Sequence, residues 1–422
     1  MLAAGRAAEE GANVLLLEKN SQPGRKILVT GKGRCNLTNA CDADEYIANM
    51  VGNGSFLFSA FHAFPSSEVI RFFNDLGLPT KVERGSRVFP VRDRAMDVVD
   101  TLQRYLKGDR VEIRYHTAAD GIHVENGRAT AVTATTGERF HGNSLILATG
   151  GASYPGTGST GDGYRIAEAL GHTIVPLKPA LIPLEVVEPW IGQLQGLSLR
   201  NVRATAWTEA RSGEKKLGEE FGEMLFTHYG VSGPIIFTLS RPVAAALAKI
   251  EREGGERKRG GRSQSAGVWL SINLKPALSE EQLDSRLQRD LTRFSRKQFR
   301  NSLDELLPKK MIPVFVDLSG IPPEKPVHQI TRGERQRLLE LLTDFRVTVT
   351  GTRPLREAIV TAGGVSVKEI DPRTMESRMV PGLFFAGEVI DVDGNTGGFN
   401  LQTAFCTGYL AGKHAARAAS HQ

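Results

Sequence analysis

Apolar and polar positions along the chain predict a similar unit at each end. Near the N-terminus, residues 2–10 are rich in alanine and predict a helix, and residues 14–17 predict a buried strand that stops at Glu18. A helix, a short loop, an apolar strand and a terminal acid form the second half of a βαβ unit. In dinucleotide-binding units that acid binds a ribose hydroxyl. The N-terminal pattern therefore predicts a parallel sheet that holds a nucleotide.

The C-terminal pattern completes this picture. Residues 383–386 are apolar and predict a second buried strand, which stops at Gly387 and Glu388. A glycine-rich loop follows, and residues 401–415 predict a helix of small residues. Glycines let the backbone come close to a ligand, and a helix start offers unpaired N–H groups to an anion or carbonyl. The arrangement predicts a polar cofactor site, although spacing alone leaves an ordinary strand–turn–helix open.

Residues 21–39 predict a polar loop with anion-binding character. The loop is punctuated by glycines and carries four cations: Arg25, Lys26, Lys32 and Arg34. Such a set suits a pyrophosphate or a ribityl chain, and a solvated connector is the alternative. Cys35 follows these cations directly, which predicts a stabilised thiolate and leaves a redox role open.

The segment between the two ends predicts further elements of the same domain. Helices are expected over 68–76, 94–106 and 164–170, and Asp162 is a candidate cap for the last of them. Residues 111–140 alternate with turn signals and predict an antiparallel meander. Residues 144–148 predict another buried strand, which ends in a glycine-rich turn.

Length and pattern together predict an interrupted domain. A chain of 422 residues is expected to form two or three domains. Strand-like alternation over 203–207 and 268–273 marks a separate β-rich body, and the charged residues 279–345 are mostly helical in pattern. The predicted organisation is a cofactor domain over 1–180 and 346–422, interrupted by a β-rich insertion over 181–275 and a helical insertion over 276–345.

Charge and cysteine content exclude several classes of protein. The net charge is +6, and the densest basic run, residues 251–262, holds no aromatic residue that could stack on bases, so we interpret it as a solvated loop. Three widely spaced cysteines argue against a disulfide framework and against a zinc site, and they favour a cytoplasmic protein. No apolar run approaches the roughly 18 residues that a membrane span needs.

Separated motifs in matching order resemble one protein family. The motifs are GRKILVTGKGRCNLTN (24–39), ILATGGASYPGTGSTGDGYRIAEALGH (146–172), LFTHYGVSGP (225–234), TAGGVSVKEI (361–370) and GLFFAGEVIDVDGNTGGFNLQTAFCTGYLAG (382–412). Together they resemble the BaiN/YhiN-like family of bacterial FAD-dependent oxidoreductases, also described as aminoacetone-oxidase-family flavoproteins. The resemblance implies an α/β fold with a glutathione-reductase-type, Rossmann-like FAD-binding domain, and an inserted β-barrel and helical domain.

The resemblance also implies a set of FAD contacts. It assigns them to Glu18, Lys19, Arg25, Lys26, Thr30, Gly31, Gly33, Arg34, Cys35, Asn36, Ala148, Thr149, Gly150, Gly151, Gly387, Glu388, Asp391, Gly397, Gly398, Asn400, Leu401 and Gln402. Glu18 would bind the adenosine ribose, residues 25–36 would line the pyrophosphate and flavin side, and residues 148–151 would pass near the adenine half. Glu388 would contact the ribityl chain. Residues 400–402 would present backbone N–H groups to the flavin ring, where a helix dipole stabilises negative charge.

The sequence departs from the family pattern at its start. Members begin with an apolar strand and a glycine-rich loop, whereas Met1 here already lies at the predicted first helix. Burying an apolar side chain of such a strand is worth about 1.5–3 kcal/mol, against a domain stability of about 5–15 kcal/mol. We therefore expect the chain as written to bind FAD poorly and the native protein to extend further upstream.

The implied activity is hydride transfer between flavin and a small organic or steroid-like substrate bound between the FAD domain and the insertion. NAD(P)H is an open choice of electron donor. No second G-x-G-x-x-G loop follows a strand, so a dedicated nicotinamide domain is not expected. Candidate proton donors are His228 and Tyr229 in the insertion and Tyr154 in the glycine-rich loop after the strand 144–148.

Two alternatives remain open at this point. One is a non-catalytic or inactive, N-terminally truncated flavin-binding protein. The other is an RNA-modifying flavoprotein, which would need a concentrated basic face. Because the dense run 251–262 lacks aromatic residues, we expect a small-molecule substrate and no nucleic-acid or membrane partner. The sequence does not predict an oligomeric state.

Overall fold

The protein is described here from a computed structural model, which covers residues 1–210, 213–252, 256–259, 262–265 and 267–420. The chain divides into two compact units. Unit 1 comprises Met1–Ala180 and Pro354–Gln422, and unit 2 comprises Leu181–Arg353. Each unit is described below by itself.

The helices, in chain order, are α1 Leu2–Glu9, α2 Arg25–Val29, α3 Ala43–Ala48, α4 Phe58–Ala63, α5 Ser66–Asp75, α6 Ala95–Tyr105, α7 Asp162–Ala169, α8 Pro234–Arg252, α9 Glu280–Arg293, α10 Ile312–Ser319, α11 Arg332–Thr343 and α12 Phe399–Ser420. The strands are β1 Val14–Leu17, β2 Thr38–Asn39, β3 Met50–Val51, β4 Thr80–Glu83, β5 Arg87–Pro90, β6 Val111–Arg114, β7 Ala119–Glu125, β8 Arg128–Ala134, β9 Arg139–His141, β10 Leu145–Leu147, β11 Ile174–Ala180, β12 Leu184–Val186, β13 Ser198–Ala210, β14 Gly213–Phe226, β15 Gly230–Ser232, β16 Glu256–Arg259, β17 Arg262–Ser265, β18 Val268–Asn273, β19 Phe345–Thr352, β20 Val360–Val365, β21 Leu383–Phe385 and β22 Asp393–Gly394.

Unit 1 contains two parallel strand pairs that join distant parts of the chain. Strand β1 pairs with β6 in the register Val14↔Val111, and β10 pairs with β21 in the register Leu145↔Leu383. The second pair confirms that both chain ends build one domain. The first pair corrects the predicted meander, because β6 joins β1 in parallel and only β7, β8 and β9 form the antiparallel sheet.

Strand β1 is less buried than its sequence predicts. All four of its residues are apolar, yet Leu15 is 39% exposed. Among the described residues, β1 has a hydrogen-bonded neighbour strand on one edge only. An edge strand covers less of its surface than a central one, which accounts for the difference.

Helix α12 packs closely against α1 because both carry small residues. A Cβ placed on Gly412 would lie 2.3 Å from the backbone oxygen of Ala3, so the two backbones are nearly in contact. The alanine-rich face of α1 is buried in the same place, with Leu2, Ala3, Ala4, Gly5 and Ala7 all buried. Small residues thus set the distance between the helices that flank the parallel strands.

Unit 2 is built around a closed β-barrel. Its strands follow the order β12-β15-β14-β13-β18-β19. The alternating segments that predicted a β-rich body are neighbours in this barrel, paired antiparallel with Trp207 opposite Trp269. The inward-facing residues of β18, Val268, Leu270 and Ile272, are completely buried.

The helical part of unit 2 is also predicted by pattern. Helices α9 and α11 both begin with a capping box, in which Ser279 pairs with Gln282 and Thr331 pairs with Glu334. The sequence boundary at 345 falls at the first residue of β19, which belongs to the barrel, and the chain returns to unit 1 at Pro354. Among the described residues, no helix is long and apolar enough to cross a membrane.

The basic run 251–262 lies partly outside the described residues. Strand β16 lies within it and pairs antiparallel with β17, which begins at the last residue of the run, where the sequence predicts a loop.

Candidate functional site

The acid at the end of β1 is fixed by its own loop. The Glu18 backbone N–H donates to the Arg114 carbonyl at 2.9 Å, which continues the pairing of β1 with β6. The Glu18 Oε1 atom accepts hydrogen bonds from the Asn20 backbone and from Asn20 Nδ2, both at 2.8 Å. Arg25 Nη1 in turn donates to Asn20 Oδ1 at 3.0 Å. A short polar chain therefore orients the carboxylate that the sequence assigns to a ribose.

The residue after this acid ties two loops together. Lys19 Nζ lies 2.5 Å from Asp162 Oδ2 and 2.6 Å from Thr160 Oγ1. Asp162 is the first residue of α7, whose N-cap is Gly161, so its carboxylate does not cap the helix as the sequence predicts. It instead binds a lysine more than 140 positions away, a partner that local pattern cannot reveal.

Left-handed backbone shapes the loop after α2. Gly31, Lys32, Gly33 and Cys35 have φ angles of 56°, 59°, 83° and 60°. A Cβ on Gly31 would lie 3.2 Å from the Asn36 backbone nitrogen, so the loop is tightly wound. Thr30 Oγ1 closes the preceding turn by donating to the Ile27 carbonyl at 2.6 Å. Successive turns of this kind form concave sites that bind anions through backbone N–H groups.

Arg34 is already neutralised by acids that are distant in sequence. Its Nη2 atom lies 2.5 Å from Glu83 and 2.7 Å from Asp93, and its guanidinium stacks 4.1 Å from the centre of the Phe89 ring. The hydrogen bond from Arg34 lowers the pKa of the Glu83 carboxyl below its usual value. The structure therefore places this predicted phosphate ligand in a salt-bridge network.

Cys35 does not have the thiolate character that its neighbours in sequence suggest. The residue is completely buried, and burial raises the pKa of its thiol to about 12. The cation next to it, Arg34, is paired with the carboxylates of Glu83 and Asp93. The prediction of a stabilised thiolate is wrong, and Cys35 acts as a small core residue.

Glu388 joins the two ends of the chain. Lys26 Nζ lies 2.6 Å from its Oε2 atom, and the Thr361 backbone N–H and the Ser153 hydroxyl donate to Oε1 at 2.8 and 3.3 Å. Lys26 also donates to Ser153 Oγ at 2.8 Å. A Cβ on Gly151 would lie 2.8 Å from the carboxylate carbon, so this position needs glycine. We call Lys26, Ser153, Thr361 and Glu388 the carboxylate node.

The sequence analysis missed two members of this node. Ser153 is completely buried and belongs to the glycine-rich loop after β10, and Thr361 is 1% exposed and lies in β20. Both residues stand inside the quoted motifs, but neither is a charged or glycine residue of the kind that the motifs brought forward. Their positions around Glu388 become visible only in the fold, where the Thr361 N–H in β20 and the Ser153 hydroxyl reach the Glu388 carboxylate.

The turn after β10 contains an unpaired polar atom. Thr149 Oγ1 is buried and has no hydrogen-bond partner, and a Cβ on Gly163 would lie only 2.0 Å from it. Gly150 has a φ of 77°, whereas Ala148 is exposed. The Ala386 N–H donates to the Leu147 carbonyl at 3.2 Å, which brings this turn beside the end of β21.

The N-terminus of α12 is packed against β2. Gly397 and Gly398 have φ angles of 129° and 99°, and a Cβ on Gly398 would lie 2.4 Å from the backbone of Thr38. Asn400 Oδ1 accepts from the Gly394 N–H at 2.9 Å, which fixes the loop before the helix. The first-turn N–H groups of a helix lack partners within it, and α12 is 22 residues long, with the full terminal dipole.

Residues 400–402 do not all offer a free N–H group. The Gln402 N–H donates to the Gly398 carbonyl at 3.0 Å, so it is used within the helix, contrary to prediction. The Gln402 side chain is also occupied, because its Oε1 accepts from Thr38 Oγ1 at 2.6 Å and its Nε2 donates to the Phe64 carbonyl at 2.8 Å. Asn400 and Leu401 remain in the first turn, where their N–H groups have no acceptor inside the helix.

Asp391 follows the node on the same loop. It accepts from Asn53 Nδ2 at 2.9 Å, and its own N–H donates to the Val365 carbonyl at 2.9 Å. Burial raises the pKa of this carboxyl above its usual value. Asp391 therefore fixes the loop before α12 to Asn53, which precedes α4, and to Val365 at the end of β20.

The two candidate proton donors lie in different units. Tyr154 is in unit 1, has a φ of 52° and is half-buried, and burial together with the Glu357 carboxylate raises the pKa of its hydroxyl. His228 is in unit 2, where its ring is exposed and lies 4.8 Å from the centre of the Tyr229 ring.

The chemistry of these groups fits a flavin dinucleotide. Asn36 Oδ1, Asn39 Oδ1 and Thr149 Oγ1 are buried without a hydrogen-bond partner. Asn36 lies just before β2, Asn39 lies in β2, and Thr149 lies in the turn after β10. Glycines in the left-handed conformation precede α2 (Gly24) and α12 (Gly397 and Gly398). The Glu388 carboxylate is largely buried. Donors for phosphate and an acceptor for hydroxyl groups are the two features that such a ligand requires.

Comparison with known proteins agrees with this description. A family model described as the HI0933-like protein Rossmann domain matches residues 1–414. The 3-dehydro-bile acid delta(4,6)-reductase of Clostridium scindens is 35% identical over 419 residues, which cover 98% of this chain and 95% of the relative. The ribosomal RNA dihydrouridine synthase of Escherichia coli is 31% identical over 411 residues, which cover 97% and 93%.

A solved structure supports the fold. The Sdh1 complex of Mycobacterium smegmatis in its apo form has a TM-score of 0.51 at 17% identity and covers 100% of this chain and 67% of that chain. Together with the family match, this confirms the predicted fold class, a Rossmann-like flavin-binding domain interrupted by a barrel and helices.

Proposed function

The chain belongs to the HI0933-like Rossmann-domain family and is an FAD-dependent oxidoreductase, from which we propose one type of reaction. The proposed reaction is the reduction of a carbon–carbon double bond that is conjugated to a carbonyl group. The two relatives are named for a bile-acid delta(4,6)-reductase and a dihydrouridine synthase. Both names describe the addition of hydrogen to a ring double bond of this kind. The structural observation that supports a flavin site in this chain is the carboxylate node, in which Glu388 from one chain end and Lys26 from the other meet at 2.6 Å.

The chain's own residues would bind and orient the cofactor. Glu388 would accept a hydrogen bond from a ribityl hydroxyl, and Glu18 would accept one from the adenosine ribose. The backbone of residues 30–36 and the α12 N-terminus would donate to the pyrophosphate and the ring carbonyl. The remaining sequence-predicted residues at Lys19, Arg25, Arg34 and Asp391 would support these loops through their internal contacts. When bound, the flavin supplies the hydride chemistry.

We propose a steroid-like enone as the first candidate substrate and NAD(P)H as the electron donor. Reducing such a bond adds a hydride at one carbon and a proton at the other. Tyr154 Oη is the better candidate for the proton, because Tyr154 is half-buried and belongs to unit 1, as the predicted flavin contacts do, whereas His228 is exposed and belongs to unit 2. A proton donor contributes about 10²–10⁴-fold to the rate of such a step.

The experiment has a spectroscopic and a catalytic part. Purified protein is examined for flavin absorbance and then mixed anaerobically with NADH or NADPH. Bleaching by either donor, followed by reoxidation with a steroid enone, supports the proposal. Bound flavin that neither donor reduces would favour a non-catalytic flavin-binding protein instead.

Tyrosine variants test the proton donor. Tyr154→Phe should slow reoxidation by the enone by about 10²-fold or more while the rate of reduction by NAD(P)H stays unchanged. Tyr115→Phe is a matched control, because Tyr115 is 41% exposed and lies outside the site. If His228→Gln slows reoxidation and Tyr154→Phe does not, the assignment passes to His228.

A second candidate substrate is a uracil base in ribosomal RNA. The relative from Escherichia coli supports it at 31% identity, and the same reduction of a conjugated double bond would serve both substrates. The assay is dihydrouridine content by mass spectrometry after incubation with unmodified rRNA transcripts. Turnover of rRNA without turnover of any steroid enone would select this candidate.

A further inference from the structure

A dense basic surface lies in unit 2, away from the basic run that the sequence brings forward. It comprises Arg289, Arg293, Arg296, Lys297 and Arg300, at the end of α9 and in the turn that follows. All five side chains are exposed. Between 289 and 300 the chain carries one acid, Asp290, so this short segment has a net charge of +4. We call these five residues the α9 basic surface.

The charges of this surface are only weakly neutralised. Arg293 pairs with Glu305 at 2.9 Å and Arg300 with Glu324 at 2.8 Å, and all four side chains are more than half exposed. Exposed pairs of this kind contribute little, so a phosphate can replace the carboxylate at small cost. Arg289 and Arg296 have no ion-pair partner within the part of the chain that the structure describes.

An aromatic ring lies within the surface. The Lys297 ammonium is 4.3 Å from the centre of the Phe294 ring, and the Arg293 guanidinium carbon is 5.1 Å from it. Phe294 is partly exposed. A ring flanked by cations is the combination that holds a base and its phosphate in proteins that bind single-stranded nucleic acid. The run 251–262 lacks any aromatic residue, which was the reason to expect no nucleic-acid partner.

The backbone under this surface is fixed before any partner binds. The Phe299 N–H donates to the Lys325 carbonyl at 2.9 Å, and the Val327 N–H donates to the Lys297 carbonyl at 3.0 Å. The Phe299 side chain is completely buried beneath the turn. Binding would therefore order side chains but not the chain itself, which reduces the entropic cost.

The surface suits a polyanion better than a lipid bilayer. Two of the three leucines of α9, Leu283 and Leu287, are buried in the core of unit 2, and Leu291 is partly buried. A helix that binds in a membrane interface needs an exposed apolar face, and no leucine of α9 is exposed. Phosphate charge and bases are the complement of what is exposed.

We propose that the α9 basic surface binds the phosphate backbone of ribosomal RNA and stacks a base on Phe294. The proposal rests on the second candidate substrate above and adds the surface that would hold it. It concerns binding alone and does not require that the RNA be the molecule reduced.

The test measures binding of unmodified 16S and 23S rRNA transcripts by filter retention between 50 and 200 mM KCl. The variant R289Q/R296Q/K297Q should bind more weakly at low salt. Its slope of log affinity against log salt should be smaller than that of the wild type by about two units, because each lost phosphate contact removes about 0.7–0.9. Phe294→Leu, which keeps an apolar side chain, should weaken binding about fivefold or more without changing this slope.

A matched control removes the same charge elsewhere. K107Q/R139Q/K368Q changes three exposed cations of unit 1 and should bind as the wild type does. The proposal is overturned if the wild type does not bind rRNA, if the control loses as much affinity as the test variant, or if the test variant loses affinity for vesicles of anionic lipid and not for rRNA. Flavin bleaching and enone turnover, measured on the same variants, report on the proposed reductase separately from RNA binding.

Discussion

Replacing Glu388 by glutamine is the sharpest test of the carboxylate node. The substitution keeps the shape of the side chain and removes its charge. The carboxylate accepts hydrogen bonds from Lys26 Nζ at 2.6 Å on one oxygen and from the Thr361 N–H at 2.8 Å on the other. An amide has one oxygen and one NH₂ group, so in either orientation of Glu388→Gln a donor faces a donor.

The size of the effect follows from these contacts. A hydrogen bond to a charged group contributes about 1.5–3 kcal/mol, which corresponds to a loss of about 10- to 140-fold in flavin affinity if Glu388 binds the ribityl chain. The apoprotein should also lose about 1–2 kcal/mol of unfolding free energy, because Lys26 loses its counter-charge and is only 24% exposed. Lys26→Met should reproduce the stability loss, and the double variant should lose less than the sum of the two.

The assay is fluorescence quenching during titration of deflavinated protein with FAD, together with urea unfolding of the apoprotein. Glu334→Gln is a matched control, because Glu334 pairs with Lys325 at 2.8 Å and is 12% exposed, in unit 2. The control should lose stability and keep its flavin affinity. If Glu388→Gln binds FAD within twofold of the wild type while its stability falls as in the control, the node is only structural and the cofactor assignment of Glu388 is refuted.

Two further outcomes test the packing and the buried polar groups of unit 1. Gly412→Ala should lower the unfolding free energy by about 1–3 kcal/mol, because the added Cβ would lie 2.3 Å from the Ala3 oxygen. Gly333→Ala in α11 has open space around it and should raise the unfolding free energy by about 0.5–1 kcal/mol in the same urea titration. Equal effects at both sites would contradict the close packing of α1 and α12. Burial lowers the pKa of His172 below its ordinary 6.5 even though Glu369 accepts from its Nδ1 at 3.2 Å, so the folded chain binds fewer protons than the unfolded one below that pH. The stability contributed by neutral His172 is complete above pH about 6.5 and is lost as the pH falls toward 5. His172→Gln should therefore flatten the decline of the unfolding free energy with falling pH over this range. His141→Gln, at an exposed histidine, should leave that decline unchanged.

The pattern of apolar positions predicts the elements of unit 1 well where those elements are local. Helices expected over 68–76 and 94–106 are observed as Ser66–Asp75 and Ala95–Tyr105. Each buries a face spaced at helical period, so its ends are set by residues within the element itself. The C-terminal helix extends to Phe399–Ser420, longer than predicted, because its small residues pack on α1 rather than ending at a cap.

Predictions fail where the partner of a residue is distant in sequence. Strand β6 has the alternation of a meander strand but pairs in parallel with β1, almost one hundred residues earlier. Asp162 has the position of a helix cap, yet its carboxylate binds Lys19. Local periodicity contains no information about which distant strand or loop comes alongside, so neither outcome is visible in the sequence.

The availability of charged side chains to a ligand differs most between what the sequence predicts and what the structure shows. Of the four cations predicted to bind an anion, Lys26 pairs with Glu388, Arg34 pairs with Glu83 and Asp93, and Arg25 donates to Asn20 Oδ1, whereas Lys32 is exposed. A phosphate that used Lys26 or Arg34 would have to displace a carboxylate, so we expect the backbone N–H groups of the left-handed loop and of the α12 start to be important anion donors in unit 1.

The α9 basic surface is the opposite case. Spacing of charges along α9 is what a solvated helix also shows, and no motif marks it. The structure distinguishes it because Arg289 and Arg296 have no carboxylate partner among the described residues, while the acids that pair with Arg293 and Arg300 are exposed. A cation is available to a ligand when its own partner is weak or missing, and that property depends on the fold, not on the local density of charge. The proposed polyanion surface is therefore in unit 2, even though the sequence concentrates its most recognisable cationic motif in unit 1.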